Sequence, residues 1–109
     1  MAYDEMLAAR IRTLLAGEDA LVEKKMFGGL AFLIEGNMSV SASGNGGLLV
    51  HVDPAEGERL IATTAAVPMV MRGREMAGWL RVAEGLESDQ ELATWVRRGA
   101  DYAHTLPPK

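Results

Sequence analysis

Apolar residues recur at helical spacing near both ends of the chain. Between Asp4 and Ala16 the spacing predicts a one-faced helix, with Gly17 as its C-terminal cap; its apolar positions are Leu7, Ile11, Leu14 and Leu15. Near the other end, Ser88 to Glu91 reads SDQE, a capping box that opens a second amphipathic helix. The apolar side of that helix comprises Leu92, Trp95, Val96, Gly99, Tyr102 and Ala103.

Between these helices the pattern changes to short extended segments. Four are predicted, at Val22–Phe27, Leu30–Glu35, Met38–Ser43 and Leu48–Asp53. The third alternates, which places Met38, Val40 and Ala42 on one face and the serines at 39, 41 and 43 on a solvent-facing side. Turn residues at 35–37 and at Asn45-Gly46 favour hairpins. The segments therefore predict an antiparallel meander.

The second half of the chain shows the same kinds of sequence signal and predicts fewer strands. Asp53 and Pro54 start a short helix that reaches about Thr63. MVMRGREM predicts a hairpin turning at Gly73, and Trp79–Ala83 is a further strand. The element order is α-β-β-β-β-α-β-β-α, with the first two strands as a possible single bent strand. This order predicts one domain over residues 1–109, of the α+β class, with helices packed on an antiparallel sheet.

Composition narrows the class of protein. The chain has 109 residues, of which 49% are hydrophobic, and no cysteine. This excludes disulfides and thiolate sites, and it fits a cytoplasmic protein. No apolar run is long enough for a membrane span. With 11 basic against 15 acidic residues and a net charge of −4, we expect no direct binding to duplex DNA.

Two consecutive glycines, Gly28 and Gly29, precede the apolar run LAFLI. Glycines that cradle phosphate lie between a strand and a helix, whereas these lead into a strand. We therefore predict a structural role for the pair, as a bulge or sharp turn between two strands.

Catalytic and metal-binding signals are weak. Only His51 and His104 are present, so we predict no metal and no cofactor. His51 and Asp53 share a strand face, but a half-exposed pair at a strand end is the favoured interpretation over an acid–base pair. The serines show no nucleophile motif. We expect no enzymatic activity.

Binding signals are somewhat stronger. Lys24-Lys25, Arg72 with Arg74, and Arg97-Arg98 are basic pairs, although Lys24 and Lys25 must point to opposite faces of a strand. Trp79 points to the other face of its strand from Leu80 and Val82. It is therefore exposed if those two face the core, unless helices cover both faces of the sheet. The candidate binding residues are Lys25, Arg72, Arg74 and Trp79. The seven methionines are expected to fill gaps in the core, although methionine also suits adaptable binding surfaces.

Several stretches resemble a known family. KKMFGGLAFLIEGNM, LLVHVDP, REMAGWLRV and AHTLPPK are similar to the N-terminal domain of the TfoX (Sxy) competence regulators, over roughly residues 14–109. The resemblance implies a secretion-chaperone-like order, α-β(3)-α-β(2)-α. In those regulators a C-terminal helical domain follows the N-terminal one, and the two domains act together in transcriptional activation with the cyclic-AMP receptor protein. The resemblance supplies no catalytic residues.

These observations leave three functional hypotheses. The first is a non-enzymatic regulatory domain that binds an unknown protein partner. It would be a homodimer, because the second strand is apolar on both faces and both faces therefore need to be buried against other side chains. The alternative is a small-molecule or nucleotide-binding domain that uses Arg72 and Arg74. The least favoured is an enzyme that uses His51 and Asp53.

Overall fold

The computed structural model describes residues 3–26, 28–44 and 46–108. The predictions made for Phe27, at the end of the first strand, and for Asn45, in a hairpin turn, fall outside these residues. The elements in chain order are α1 Glu5–Leu14, β1 Leu21–Met26, β2 Gly29–Ile34, β3 Asn37–Ala42, β4 Leu48–His51, α2 Pro54–Thr63, β5 Val67–Met71, β6 Arg74–Val82 and α3 Asp89–Thr105.

All six strands form one antiparallel sheet, in the spatial order β1-β2-β3-β4-β6-β5. The predicted α+β class and the predicted element order are therefore confirmed. The order implied by the family resemblance has three strands before α2, and this chain has four. The additional strand arises because β1 and β2 are separate strands that pair with each other.

The glycine pair lies at the junction of β1 and β2. Gly28 has φ +77°, a left-handed backbone conformation that residues other than glycine rarely adopt. Gly29 begins β2, and a Cβ atom there would lie 2.3 Å from the carbonyl oxygen of Ala42 on β3. One glycine thus supplies a backbone angle, and the other allows two strands to approach closely.

Helix starts follow the sequence signals. The Asp53 carboxylate accepts hydrogen bonds from the backbone N–H groups of Ala55 and Glu56, and Ser88 accepts one from Glu91. Asp4 caps α1 in the same way. The prediction for Gly17 is wrong: α1 ends at Leu14, because the Leu15 N–H makes the last helical bond to Ile11 and a tight turn follows.

The three helices cover one face of the sheet. Phe32, Val40, Val50 and Leu80 point into this layer, and each is at most 1% exposed. α3 crosses β3 and β4, while α2 packs on β6. Helix α3 approaches the sheet closely at Gly99, where a Cβ atom would lie 2.4 Å from the Ser39 carbonyl oxygen. No described helix combines the length and the apolar character needed to cross a bilayer.

The solvent-facing assignment of the three serines is wrong. Ser39, Ser41 and Ser43 are 0%, 3% and 6% exposed. Phe32 pairs with Val40 while Leu33 pairs with Met38, so Ser39 is the extra residue of a β-bulge. Its hydroxyl donates to the Phe32 carbonyl oxygen at 2.8 Å. The bulge also places Met38 on the opposite face of the sheet from Val40. The alternation of apolar and polar residues in the sequence cannot reveal this, because it assumes a strand without a bulge.

The hairpin predicted at Gly73 is confirmed. Arg72 and Gly73 have φ of +55° and +78°, and they join β5 to β6. The strand predicted at Trp79 is the continuation of β6 rather than a separate element. Gly78, with φ +82°, lies where the β5–β6 register shifts, and its carbonyl oxygen accepts the Val52 N–H at 2.8 Å.

Candidate binding groove on the open face of the sheet

The face of the sheet opposite the helices forms a groove of about 730 Å³. Side chains from β1 and β5, the two edge strands, both line it, so the sheet curls around the space between them. Small-molecule and cofactor sites commonly have volumes in this range. We refer to this feature as the groove. Its apolar side chains are Met26, Leu33, Met38, Leu49, Met69, Met71, Met76, Trp79 and Leu106.

Methionine dominates the walls of the groove. Five of the seven methionines line it, and no methionine belongs to the helix-side core of the described residues. The expectation that these five fill gaps in the core is therefore wrong. Met69 and Met76 are directly opposite each other on β5 and β6, so both project from the same side of the hairpin. Unbranched thioether side chains can adapt to differently shaped apolar surfaces.

The floor of the groove consists of small or fully packed side chains. Ala31, Ser41 and Leu49 lie on neighbouring central strands and are 7% exposed or less. Arg81 donates to the Ser43 hydroxyl at 3.1 Å and to the Gly46 carbonyl oxygen at 2.8 Å. Small floor residues between long wall residues give the face its concave shape.

An aromatic cluster lies at one end of the groove. The rings of His51 and Trp79 stack, with centroids 3.9 Å apart and planes 12° from parallel. Tyr102 of α3 meets the His51 ring edge-on at 5.0 Å. His51 Nδ1 lies 3.3 Å from the Met38 carbonyl oxygen. The imidazole thus supports the wall that Trp79 presents to the groove.

This arrangement gives His51 and Asp53 separate structural tasks. The Asp53 carboxylate holds the first turn of α2, whereas the His51 ring packs between aromatic side chains. Neither geometry offers the exposed, mutually oriented pair that acid–base catalysis requires. Among residues 3–26, 28–44 and 46–108, no group of three or more His, Asp or Glu side chains could hold a metal ion.

The C-terminal segment closes the same end of the groove. Leu106, Pro107 and Pro108 border the cavity after α3 ends. The buried amide of Asn37 donates to the Pro107 carbonyl oxygen at 2.9 Å. A single side chain in the β2–β3 turn region therefore fastens this segment to the sheet.

Some basic side chains of the surface form ion pairs and others do not. On the helix side, Arg10 pairs with Asp89, Arg12 with Glu23 and Arg59 with Glu56. The hydrogen-bonded Arg12 guanidinium lowers the pKa of Glu23, and Glu23 in turn raises the pKa of Arg12. Within the described part of the chain, Lys24, Lys25, Arg72 and Arg74 have no carboxylate within 4 Å.

The structure places the four candidate binding residues differently. Trp79 lines the groove. Arg74 is directly opposite the groove-lining Met71, so it lies at the groove's rim, and Arg72 is in the adjoining turn. Lys25 lies on the other side of β1, and its neighbour Lys24 lines the groove instead. Lys24 was missed because alternation shows that the two lysines diverge but does not show which one faces a cavity.

None of the described residues that line the groove has a carboxylate side chain, although the chain as a whole has a net charge of −4. Its chemistry is that of an apolar surface with cations at two rims, Lys24 on the β1 side and Arg74 on the β6 side. Such a surface can bind an apolar partner and favours one that carries negative charge.

Comparison with known proteins identifies the family. No curated protein and no solved structure matches the chain significantly. The model of the TfoX N-terminal domain matches residues 13–103, nearly the whole of the 109-residue chain. This match covers every strand of the sheet, α2 and most of α3. The chain belongs to the TfoX N-terminal domain family.

Proposed function

We propose that this chain is a non-enzymatic regulatory domain that acts by binding another protein, and that the groove is its binding surface. The observation that carries the proposal is the position of the methionines. Five flexible apolar side chains stand on the open face instead of in the core. An exposed apolar surface of this kind is typical of an interaction site.

Family membership supports the regulatory part of the proposal. TfoX N-terminal domains resemble this chain in sequence, and the resemblance implies a role in transcriptional regulation through protein partners. Among the described residues that line the groove there is no cluster of acidic side chains. Its residues suit recognition rather than bond making.

Site-specific photo-cross-linking in the native host tests the proposal. A photoreactive amino acid at position 71, which lines the groove, should give covalent adducts with the partner. The same amino acid at position 70, which projects from the other face of β5, should not. Mass spectrometry of the adduct identifies the partner for titration with the purified chain.

The titration uses a matched pair of variants. Met71→Asp should abolish binding of the identified partner because it places a charge on the groove wall, whereas Val70→Asp should leave affinity unchanged. Val70 is 61% exposed, so its replacement leaves the core intact. Equal affinities for both variants, or adducts from position 70 only, would refute the groove as the binding surface.

The alternative, a small-molecule or nucleotide site around Arg72 and Arg74, has weaker support. The two arginines flank Gly73 at an exposed hairpin tip, and only Arg74 shares a side with a groove residue. Nucleotide sites enclose their ligand, and a hairpin tip is convex. Saturable binding of nucleotide that is lost in Arg72→Ala and retained in Met71→Asp would favour this alternative.

Three further features of the proposal stay predictions. Self-association as a homodimer is expected because both faces of β2 are apolar; the second of these faces lies in the groove, so a dimer through it would compete with the partner, and light scattering tests it. Direct binding to duplex DNA should stay in the weak non-specific range, about 10⁻⁴ to 10⁻⁶ M at physiological salt, because the acidic residues outnumber the basic ones. The cysteine-free composition supports a cytoplasmic location.

A further inference from the structure

The charge pattern around the groove indicates what kind of partner fits it. Lys24 lines the groove on the β1 side, and Arg74 lies at its rim on the β6 side. Neither cation has a carboxylate within 4 Å among the described residues. Lys25 on the other side of β1 and Arg97 and Arg98 on α3 also have no ion pair within the described part of the chain, but none of them lines the groove. Lys24 and Arg74 are the unpaired cations that flank this apolar surface on two sides.

The separation of the two rims favours an occupant with negative charge on two sides. β1 and β6 are four strands apart in the sheet, which corresponds to about 19 Å measured along it. A fatty acid or similar amphiphile carries a single head group and can pair with only one rim. An α-helix with its side chains is about 10–12 Å across, so it can lie along the groove with acidic side chains on both flanks.

Backbone chemistry points the same way. The face of a sheet presents side chains, because its backbone groups bond within the sheet plane. An extended peptide laid on this face would leave its own N–H and C=O groups without partners over apolar methionines. A helix satisfies those groups internally and can bury a stripe of apolar side chains.

A second copy of this chain is a poor occupant. A two-fold dimer would bring the same concave surface against itself, so the methionines of the two grooves could not meet. A helix from a second copy would also fit the groove poorly, because the described helices carry arginines as well as acidic side chains. Arg10 and Arg12 lie on α1, and Arg59 lies on α2.

We propose that the groove binds an acidic amphipathic helix of a partner protein, with the apolar stripe of that helix on the methionines and its flanking carboxylates at Lys24 and Arg74. This inference rests on the proposed function and specifies its partner. Lys24 and Arg74 select the charge of the helix, and the methionines accommodate variation in its apolar side chains.

Calorimetric titration of the wild-type chain with three synthetic peptides tests the inference. The first is an amphipathic helix of about eighteen residues, five turns, with leucines on one stripe and glutamates on both flanks. The second replaces each glutamate with lysine, and the third has the composition of the first in a scrambled, non-amphipathic order. We expect the acidic helix to bind about tenfold more tightly than the basic one at low salt, and the scrambled peptide not to bind.

Neighbouring residues on β1 provide the matched control. Lys24→Glu should weaken the acidic helix several-fold and strengthen the basic one, whereas Lys25→Glu, on the other side of the strand, should change neither by more than its small effect on overall charge. Met71→Asp should abolish binding of the acidic helix, and Val70→Asp should not. Within each pair the two positions are adjacent on one strand and lie on its opposite faces, and both variants change the net charge equally.

The outcomes separate this inference from the proposed function. Equal affinity for the acidic and basic helices, both lost in Met71→Asp, would refute the charge selection and leave the groove as an interaction site. A fourth titration uses dodecanoate, a single-headed amphiphile, and tighter binding of dodecanoate than of either helix would assign the groove to a small amphiphile. A dimer that Met71→Asp dissociates would assign it to a second copy. Each of these results overturns the acidic-helix inference, while the cross-linking at position 71 judges the proposed function independently.

Discussion

The two faces of this sheet are built from the same strands but from different kinds of side chain. The helix-covered face carries branched and aromatic residues, among them Phe32, Val50 and Leu80, which are at most 1% exposed. The open face carries methionines around a floor of alanine, serine and leucine. Branched side chains with few rotamers specify one packing arrangement, whereas methionine accepts many. The first face determines the fold, and the second is suited to an external partner.

Truncating two adjacent residues of β2, one on each face, tests most directly whether the two faces contribute differently to stability. Phe32→Ala should lower the free energy of unfolding by about 3–5 kcal/mol, because it leaves a cavity in a fully buried core. Leu33→Ala, one residue along and facing the groove, should cost about 1 kcal/mol because Leu33 is only half-buried. Urea denaturation measures both. Similar losses for the two variants would mean that the open face is as much a core as the covered one.

The glycine pair offers a second contrast. Gly29→Ala should cost about 1–3 kcal/mol, because the new Cβ atom would lie 2.3 Å from the Ala42 carbonyl oxygen and the strands would have to separate. Gly28→Ala should cost about 1 kcal/mol, since the space is open and only the left-handed φ is unfavourable. Thermal denaturation of the two variants distinguishes the effects, and the reverse order of stability would contradict the assignment.

The attachment of the C-terminal segment should have a moderate effect. Asn37→Ala removes the hydrogen bond to the Pro107 carbonyl oxygen, so we expect a loss of about 1 kcal/mol and sharper NMR signals from the Leu106 methyl groups. Asn37→Asp keeps the size of the side chain but cannot donate that bond, so it should release the segment as well. Unchanged Leu106 signals in both variants would show that packing alone holds the segment.

The smallest expected effect concerns the paired charges of β1. The pKa of Glu23 is lowered by Arg12, so the pair contributes stability above the unfolded pKa of glutamate, about 4.3, and loses it as the pH falls through the folded value. Glu23→Gln should therefore flatten the acid side of a stability–pH profile slightly. Lys24→Gln, next to it but facing the groove, should leave that side unchanged. A larger effect from Lys24 would place an ion pair in the groove.

Much of the architecture could be predicted because its signals are local. The capping residues Asp53 and Ser88 and the turn at Gly73 determine element ends through hydrogen bonds or backbone angles within a few residues. The candidate site was predicted in part. Trp79 and Arg74 were identified, whereas the groove itself and Lys24 were not, because a cavity is formed by residues from strands that are distant in sequence.

The sequence by itself determined the element order, the antiparallel class and the divergence of neighbouring side chains on each strand, since helical and strand periodicities follow from backbone geometry. Only the tertiary structure decided which face the helices cover. The bulge at Ser39 moves Met38 to the open face, and the curl of the sheet brings Met26 and Met69, from opposite edges, around one groove. These are relations between strands, and a hydrophobic pattern along one strand contains no information about what its neighbours leave uncovered.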